Sequence, residues 1–386
     1  MTADRAARLR ELTAVFLKLG TIGFGGPAAH LALMEEEAIR RRGWVSQEEF
    51  VDLLGLTNLI PGPNSTEMAM HLGHRRAGAA GLVVAGLAFI LPAVVITAGL
   101  AWLYVRYGAR PEVIPFTAGI RPALVAVVIT ATWRLGKVAS KGWNLVVIGT
   151  LVLVSSLAGV SEILALLGAG LLGLAWHSAT RRTRPDKSGS LMSAMGFPLM
   201  GPAAAAVLAG TPSLGGIGLF FLKIGSVLYG SGYVLIAFLE DGLVRQRHWL
   251  THARLLDAVA IGQFTPGPVL STATFVGYLL RGPSGAAVAT AGIFLPSFVF
   301  VALSAPLAPA IRRSPAASAF LDAVNVAAVA LLVAVTLELV RTAVVDWRTA
   351  LIALVAAIAG LRWKVGAAWL ILGGGVSGWL LARIAA

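Results

Sequence analysis

Two places where proline interrupts an apolar run constrain this chain most. Residues 47–76 climb through an apolar run to Pro61-Gly62-Pro63-Asn64-Ser65-Thr66 and descend to His74, Arg75 and Arg76; residues 254–281 do the same around Pro266-Gly267-Pro268 and end on Arg281. Proline lacks the N–H that a helix interior needs and biases the preceding residue toward extended backbone, so a helix is expected to stop at Ile60 and restart after Pro63. A bilayer crossing takes about 20 apolar residues, and the run before each break is shorter. Each stretch therefore predicts a broken, re-entrant helix pair whose second half begins inside the membrane. The unpaired N–H groups at such an end carry roughly half a positive charge and form an anion site. Irregular backbone at that depth survives only where protein buries it or a cavity reaches it.

The two breaks belong to an internal repeat. Phe16, Lys18, Gly20, Phe24, Glu35, Trp44 and Asp52 recur 205 positions later as Phe221, Lys223, Gly225, Tyr229, Glu240, Trp249 and Asp257. After the second break the spacing is 204, pairing Gly73, Gly78, Leu91-Pro92, Phe116 and Trp143 with Gly277, Gly282, Leu295-Pro296, Phe320 and Trp347. Paired interrupted helices in two repeats predict a transporter whose site lies between them near the midplane. The division is an N-terminal repeat at 8–178, a basic linker plus an extra apolar segment at 179–211, and a C-terminal repeat at 212–386. The apolar stretch 191–209 has no counterpart in the first half and would turn the second half over if each half crosses an even number of times. Basic loops sort to one side in the first half but not in the second, so inversion is an expectation that charge supports only weakly.

Composition agrees with a membrane interior. The chain is 57% apolar and 13% charged with mean hydropathy +0.82, which predicts an all-α polytopic membrane protein. Further apolar segments at 12–33, 79–104, 116–135, 145–157 and 163–176, with their repeats, give about 10–13 membrane segments. The run from Glu35 to Arg42 reads as an aqueous loop, and no removable signal peptide is expected. The net charge of +13 is assigned to basic loops beside apolar spans and, in smaller part, to attraction of an anionic substrate. No nucleic-acid partner is expected, because no basic patch interleaved with aromatics stands outside the apolar segments. The absence of cysteine excludes disulfides, thiolate metal sites and thiol redox chemistry. His30 and His71 lack metal-ligand spacing, so neither metal nor cofactor is expected.

Phe24-Gly25-Gly26-Pro27, His30, the acidic run 35–37, Trp44, Phe50 and Pro61-Gly62-Pro63 resemble the first-half pattern of the chromate ion transporter family. Gly262-Gln263-Phe264-Thr265-Pro266-Gly267-Pro268, Ala273-Thr274-Phe275-Val276-Gly277-Tyr278 and Phe294-Leu295-Pro296-Ser297-Phe298 resemble its second-half pattern. The resemblance spans about 12–381 and implies two fused homologous halves, antiparallel in the inner membrane, that export chromate and confer resistance to it. One position differs between the breaks: Val269 stands where the first break has Asn64.

Several residues are candidates for the transport site. Lys18 and Lys223 sit mid-segment, where a buried cation costs about 2.5 to 3.5 kcal/mol on insertion scales; they either offset a bound dianion or snorkel to an interface. Ser65, Thr66, Ser271 and Thr272 lie in the first turn after each break and either cap the helix or donate to oxyanion oxygens. Gly62 and Gly267 serve the turn and leave room for close backbone approach. Gly25, Gly26, Gly230 and Ser231 form either a second close-approach surface or small-residue packing. Glu67, one turn past the break, and Glu35 and Glu240 are candidates for proton coupling, with a solvated loop as the plainer account of Glu35. Asp52 and Asp257 read as charge complements at helix starts. Arg121 and Asn325 read as buried polar contacts or lining.

The expected function is a secondary transporter that exports chromate by alternating access between two repeats, with the bilayer as its environment and a homodimer as one assembly. A sulfate or other oxyanion carrier is the alternative within the class. A membrane enzyme acting on phosphorylated lipids would need a general base or metal cluster that the sequence lacks, so no catalytic residue is assigned. A passive anion channel is the third alternative.

Overall fold

A computed structural model describes residues 2–24, 26–58, 60–139, 142–182, 212–229, 232–311 and 315–384. The linker from residue 183 onward and the extra apolar segment at 191–209 lie outside the described residues, as do Gly25, Gly230 and Ser231. Among the described residues there are fourteen α-helices and no strand.

The first repeat begins with α1 (Thr2–Ile22) and α2 (Pro27–Glu35), separated at Gly23 to Gly26. Gly26 has φ +78 and Pro27 opens α2, where its missing N–H costs nothing. The expected aqueous loop is instead a π-helical turn, Glu36–Arg41, which continues α2 and buries Glu37. Within that acidic run Glu37 alone turns inward, where Lys18, Arg41 and Arg42 surround its carboxylate, while Glu35 and Glu36 stay partly exposed.

The broken pair is α3 (Gln47–Thr57) and the first arm of α4 (Asn64–Tyr107). Ser46 and Glu49 close a capping box at the start of α3. The helix ends at Thr57, earlier than the expected Ile60, and restarts at Asn64 as expected, with Pro63 as its N-cap. A second interruption at Ala77–Gly78, where Gly78 has φ +66, folds α4 back on itself. Gly73 and Gly81 then meet backbone to backbone, so closely that a Cβ on Gly81 would collide with the Gly73 carbonyl oxygen. Both helices ahead of this fold are too short to cross about 30 Å of hydrocarbon at 1.5 Å per residue. Next come α5 (Ile114–Ala139), α6 (Trp143–Leu157) and α7 (Glu162–Arg182), the last two forming the expected hairpin through Gly159 at φ +87.

The second repeat retraces this course as α8 (Leu214–Val227), a 3-10 turn into α9 (Leu235–Leu239), a π-helical turn at Glu240–Gln246 and α10 (His252–Phe264). The break at Pro266 to Pro268 leads through a 3-10 turn, Val269–Ser271, into α11 (Thr272–Ile311). Arg281–Gly282 repeats the fold-back, bringing Gly277 against Gly285. Then follow α12 (Pro315–Ala343), α13 (Trp347–Arg362) and α14 (Ala367–Ile384). Five described helices are long and apolar enough to cross a membrane: α4, α5, α7, the helix of the second break and α12; α6, α8 and α14 are apolar but shorter.

The repeats interlock by exchange. Helix α5 packs against α13 and α14 of the other repeat, while α12 packs against α6 and α7. Glycines make the notches: the ring of Phe320 occupies the space a side chain at Gly170 would need, and the ring of Phe116 occupies that of Gly375. Helices α4 and α11 meet at the centre, where Phe298 lies over Gly86.

Candidate functional site

Each break is tied to the opposite repeat. The N–H of Gly62 donates to the carbonyl oxygen of Leu228 at 2.8 Å, and the N–H of Gly267 donates to that of Gly23 at 2.9 Å. Gly23 and Leu228 are equivalent positions, each just past the first helix of its repeat. The two bonds are therefore one contact made twice in opposite directions. They bury both breaks between the repeats: Ser65, Thr66, Ser271 and Thr272 are all at most 2% exposed. Gly62 has φ +142 and Gly267 φ +90, so both occupy conformations suited to glycine.

Beyond the first break, Thr66 and Glu67 donate their N–H groups to Pro63 O. The amides without an intrahelical partner there are those of Asn64 and Ser65. Pro63 offers no side-chain cap, and Thr66 Oγ1 is buried without a hydrogen bond, so the capping account of these hydroxyls does not describe the first break. At the second break, Thr272 Oγ1 donates to Val269 O at 2.8 Å. Asn64 Nδ2 donates to Asn58 Oδ1 at 2.6 Å, while Val269 is buried apolar surface, so the two helix starts differ chemically.

Polar side chains of the opposite repeat line each break and form a seam between the repeats. Thr97 in α4 reaches Thr265 Oγ1 at 3.4 Å and Ser271 Oγ at 3.3 Å. Glu67 is fully buried, and a Cβ on Gly62 would run into its carboxyl and come within 2.5 Å of Ser297 Oγ. Neither Glu67 oxygen nor Ser297 Oγ makes a hydrogen bond of good geometry among the described residues, and the same holds for His71 Nε2 and Gln263 Nε2. Thr97 and Ser297 carried no site role in the sequence reading. Ser297 lies in the Leu-Pro-Ser motif that marks the second repeat, which was the available signal; an isolated threonine in an apolar span gives none.

The lysines are elsewhere. Lys18 and Lys223 both lie exposed on the chain's outer surface, and Lys18 Nζ is 2.9 Å from Glu37 Oε1. Burial pushes the Glu37 carboxyl up, but the Lys18 hydrogen bond and the charges of Lys18, Arg42 and Arg41 together hold it below the usual carboxylate range. Glu35 is half-buried and accepts from Gln47 Nε2 at 3.4 Å, whereas Glu240 is 1% exposed with His252 Nδ1 at 2.8 Å. Asp257 is no helix-start complement: it sits in the second turn of α10, buried against Arg121 and Tyr104. Gly26 has open space around its Cα. Among the described residues no group of His, Asp and Glu could hold a metal ion.

Two homologous halves, each carrying the same break, are matched as such by a known family: the chromate transporter family fits residues 10–174 and again 216–379. The chain belongs to the chromate transporter family. It is 35% identical over 360 residues to a chromate transport protein of Cupriavidus metallidurans, covering 92% of this chain and 88% of the relative. A probable chromate transport protein of Synechococcus elongatus is 34% identical over 363 residues, covering 94% and 91%. A chromate transport protein of Pseudomonas aeruginosa is 30% identical over 384 residues, covering 96% and 92%. No solved structure matches the chain. This chromate transporter family member is thus a transport protein rather than an enzyme, and its apolar helices make it a multi-pass plasma membrane protein.

Proposed function

We propose that the chain carries chromate out of the cell by alternating access, its two repeats rocking about the buried seam between the breaks. The observation that carries this reading is the reciprocal pair of bonds, Gly62 to Leu228 and Gly267 to Gly23, which ties each break to the end of the first helix of the opposite repeat. A tetrahedral dianion would be held by the amides of Asn64 and Ser65 and of Val269 and Leu270, with the hydroxyls of Thr66, Ser271 and Thr272 beside them. These ends supply positive potential without a buried cation. Inverted repeats, divided at 8–178 and 212–386, would let one seam face either side in turn. Glu67 is the candidate for proton coupling, because it sets a fully buried carboxyl beside a break, next to Ser297. The lysines are read as snorkelling residues, since Lys18 already holds Glu37. A dianion leaving a cell that is negative inside gains about 2.3 kcal/mol per charge per 100 mV.

The relatives named for chromate favour that oxyanion over sulfate. The test is chromate uptake into inverted vesicles under an imposed voltage, with sulfate as competitor. Saturable uptake with counterflow, driven by voltage of the expected sign and weakly inhibited by sulfate, is the expected result. Uptake that follows sulfate instead would reassign the substrate, flux without counterflow would indicate a channel, and no uptake in either orientation would end the reading.

A further inference from the structure

A cavity of about 590 Å³ opens between the π-helical turn at Glu240–Gln246 and the start of α10, lined among others by Arg245, His248, Thr251, His252 and Arg254. None of these residues belongs to a break or to a helix long enough to span. The first repeat carries Arg40, Gly43, Ser46, Gln47 and Glu49 at the equivalent places. Two neutral residues and one acid have therefore become two imidazoles and a guanidinium in the second repeat only.

The backbone did not change with them. Gly43 has φ +60 and His248 φ +53, the same left-handed conformation, which glycine adopts freely and histidine only with steric strain. What the second repeat gains at this position is the side chain. His252 sets its Nδ1 2.8 Å from Glu240 Oε1, which leaves Nε2 for another partner. His248 has an N–H donor in either charge state, whereas His252, with Nδ1–H turned to Glu240, donates from Nε2 only as the imidazolium. Arg245 stands near Glu162 and Glu240, whose carboxylates oppose its charge. Arg254 is exposed and forms no ion pair among the described residues, while its backbone N–H is taken by Thr251 Oγ1 at 3.3 Å. The N-terminus of α10, a helix of 13 residues, adds its positive end to the same wall.

We infer that this cavity is a capture site for the transported tetrahedral oxyanion, occupied in water before the ion reaches the breaks and built into one repeat alone. The inference rests on reading the chain as an oxyanion carrier. A concave surface of one sign gathers counter-ions and speeds their arrival without changing the transport step itself.

The test converts the second repeat to the residues of the first with the triple variant His248→Gly, His252→Gln and Arg254→Glu. Chromate uptake is measured in right-side-out and inverted vesicles, at low and high salt. From the face onto which the cavity opens, KM is expected to rise on the order of tenfold, with the maximal rate kept and the salt dependence of KM flattened. His248→Gly alone relieves a strained residue and is expected to show part of the rise, which keeps the test decisive if the triple variant folds poorly. Unchanged KM and salt dependence from both faces would overturn the capture site. So would a KM change seen only in vesicles containing phosphatidylglycerol, since the cavity would then hold a lipid phosphate. Wild-type protein that moves no chromate at all would instead sink the transport reading beneath it.

Discussion

Arg121 and Asp257 join the two repeats through a forked ion pair. The guanidinium meets the carboxylate through two parallel bonds, Nε to Oδ1 at 2.8 Å and Nη2 to Oδ2 at 2.9 Å, and Tyr104 adds its hydroxyl to Oδ2 at 2.6 Å. The equivalent positions hold Asn325 and an exposed Asp52, so the second copy lacks the guanidinium of this fork. Removing the arginine would strand a carboxylate that is 2% exposed. Arg121→Ala is expected to destabilise the protein by about 3 kcal/mol, read as a fall in thermal midpoint in detergent. Arg121→Lys keeps the charge but loses the fork and is expected to fall between.

The glycines of the breaks allow a sharper test. An alanine at Gly62 would need a left-handed backbone, at about 1–2 kcal/mol, and its methyl would collide with Glu67 and Ser297. Gly62→Ala is expected to abolish transport in vesicles while leaving detectable protein in the membrane. Gly267→Ala is expected to be milder, because its Cβ would lie 2.8 Å from the Ala93 methyl rather than against a polar pair.

Where α4 folds back, Gly73 and Gly81 touch through their backbones, and Gly277 and Gly285 repeat the contact in α11. Valine at Gly81 has nowhere to go. Overpacking of this kind costs about 1–3 kcal/mol or more, so Gly81→Val is expected to lower membrane yield several-fold, measured by quantitative immunoblot against wild type.

Glu37 gives the pH dependence. Its carboxyl is held below the ordinary range in the folded chain, so its contribution is complete at neutral pH and is lost as pH falls through that depressed value. Glu37→Gln is expected to lower the thermal midpoint at pH 7, and the gap from wild type is expected to close in strong acid. A gap that stays constant with pH would show that the Lys18–Glu37 pair contributes nothing through ionisation.

Lys18→Ala and Lys223→Ala are expected to leave the KM for chromate near that of wild type, since both side chains lie outside the seam. Loss of transport in both variants, with protein retained in the membrane, would return the lysines to the site.

Much of this architecture was legible because proline and glycine act locally. Pro61 to Pro63 and Pro266 to Pro268 cannot sit inside a helix, so the interruptions and their repetition could be read directly, although the first helix ends three residues earlier than expected. Side-chain direction was not legible in the same way. Lys18 has apolar neighbours in sequence, which leave a site role and snorkelling both open, yet in a helix those neighbours are spread around the axis, and the side chain is exposed 2.9 Å from Glu37. The acidic run 35–37 looked soluble because three like charges in a row favour water; folding separates them, turning Glu37 inward to three cations. Thr97 and Ser297 needed the pairing of α4 with α11, a relation between distant segments that no local pattern encodes.

The crossed bonds at Gly62 and Gly267 also bear on solitude. A lone half of this chain would hold one amide and one carbonyl with nobody to answer them in a solvent that offers no hydrogen bonds. Each half therefore leans on the other through its main chain, before any side chain is counted.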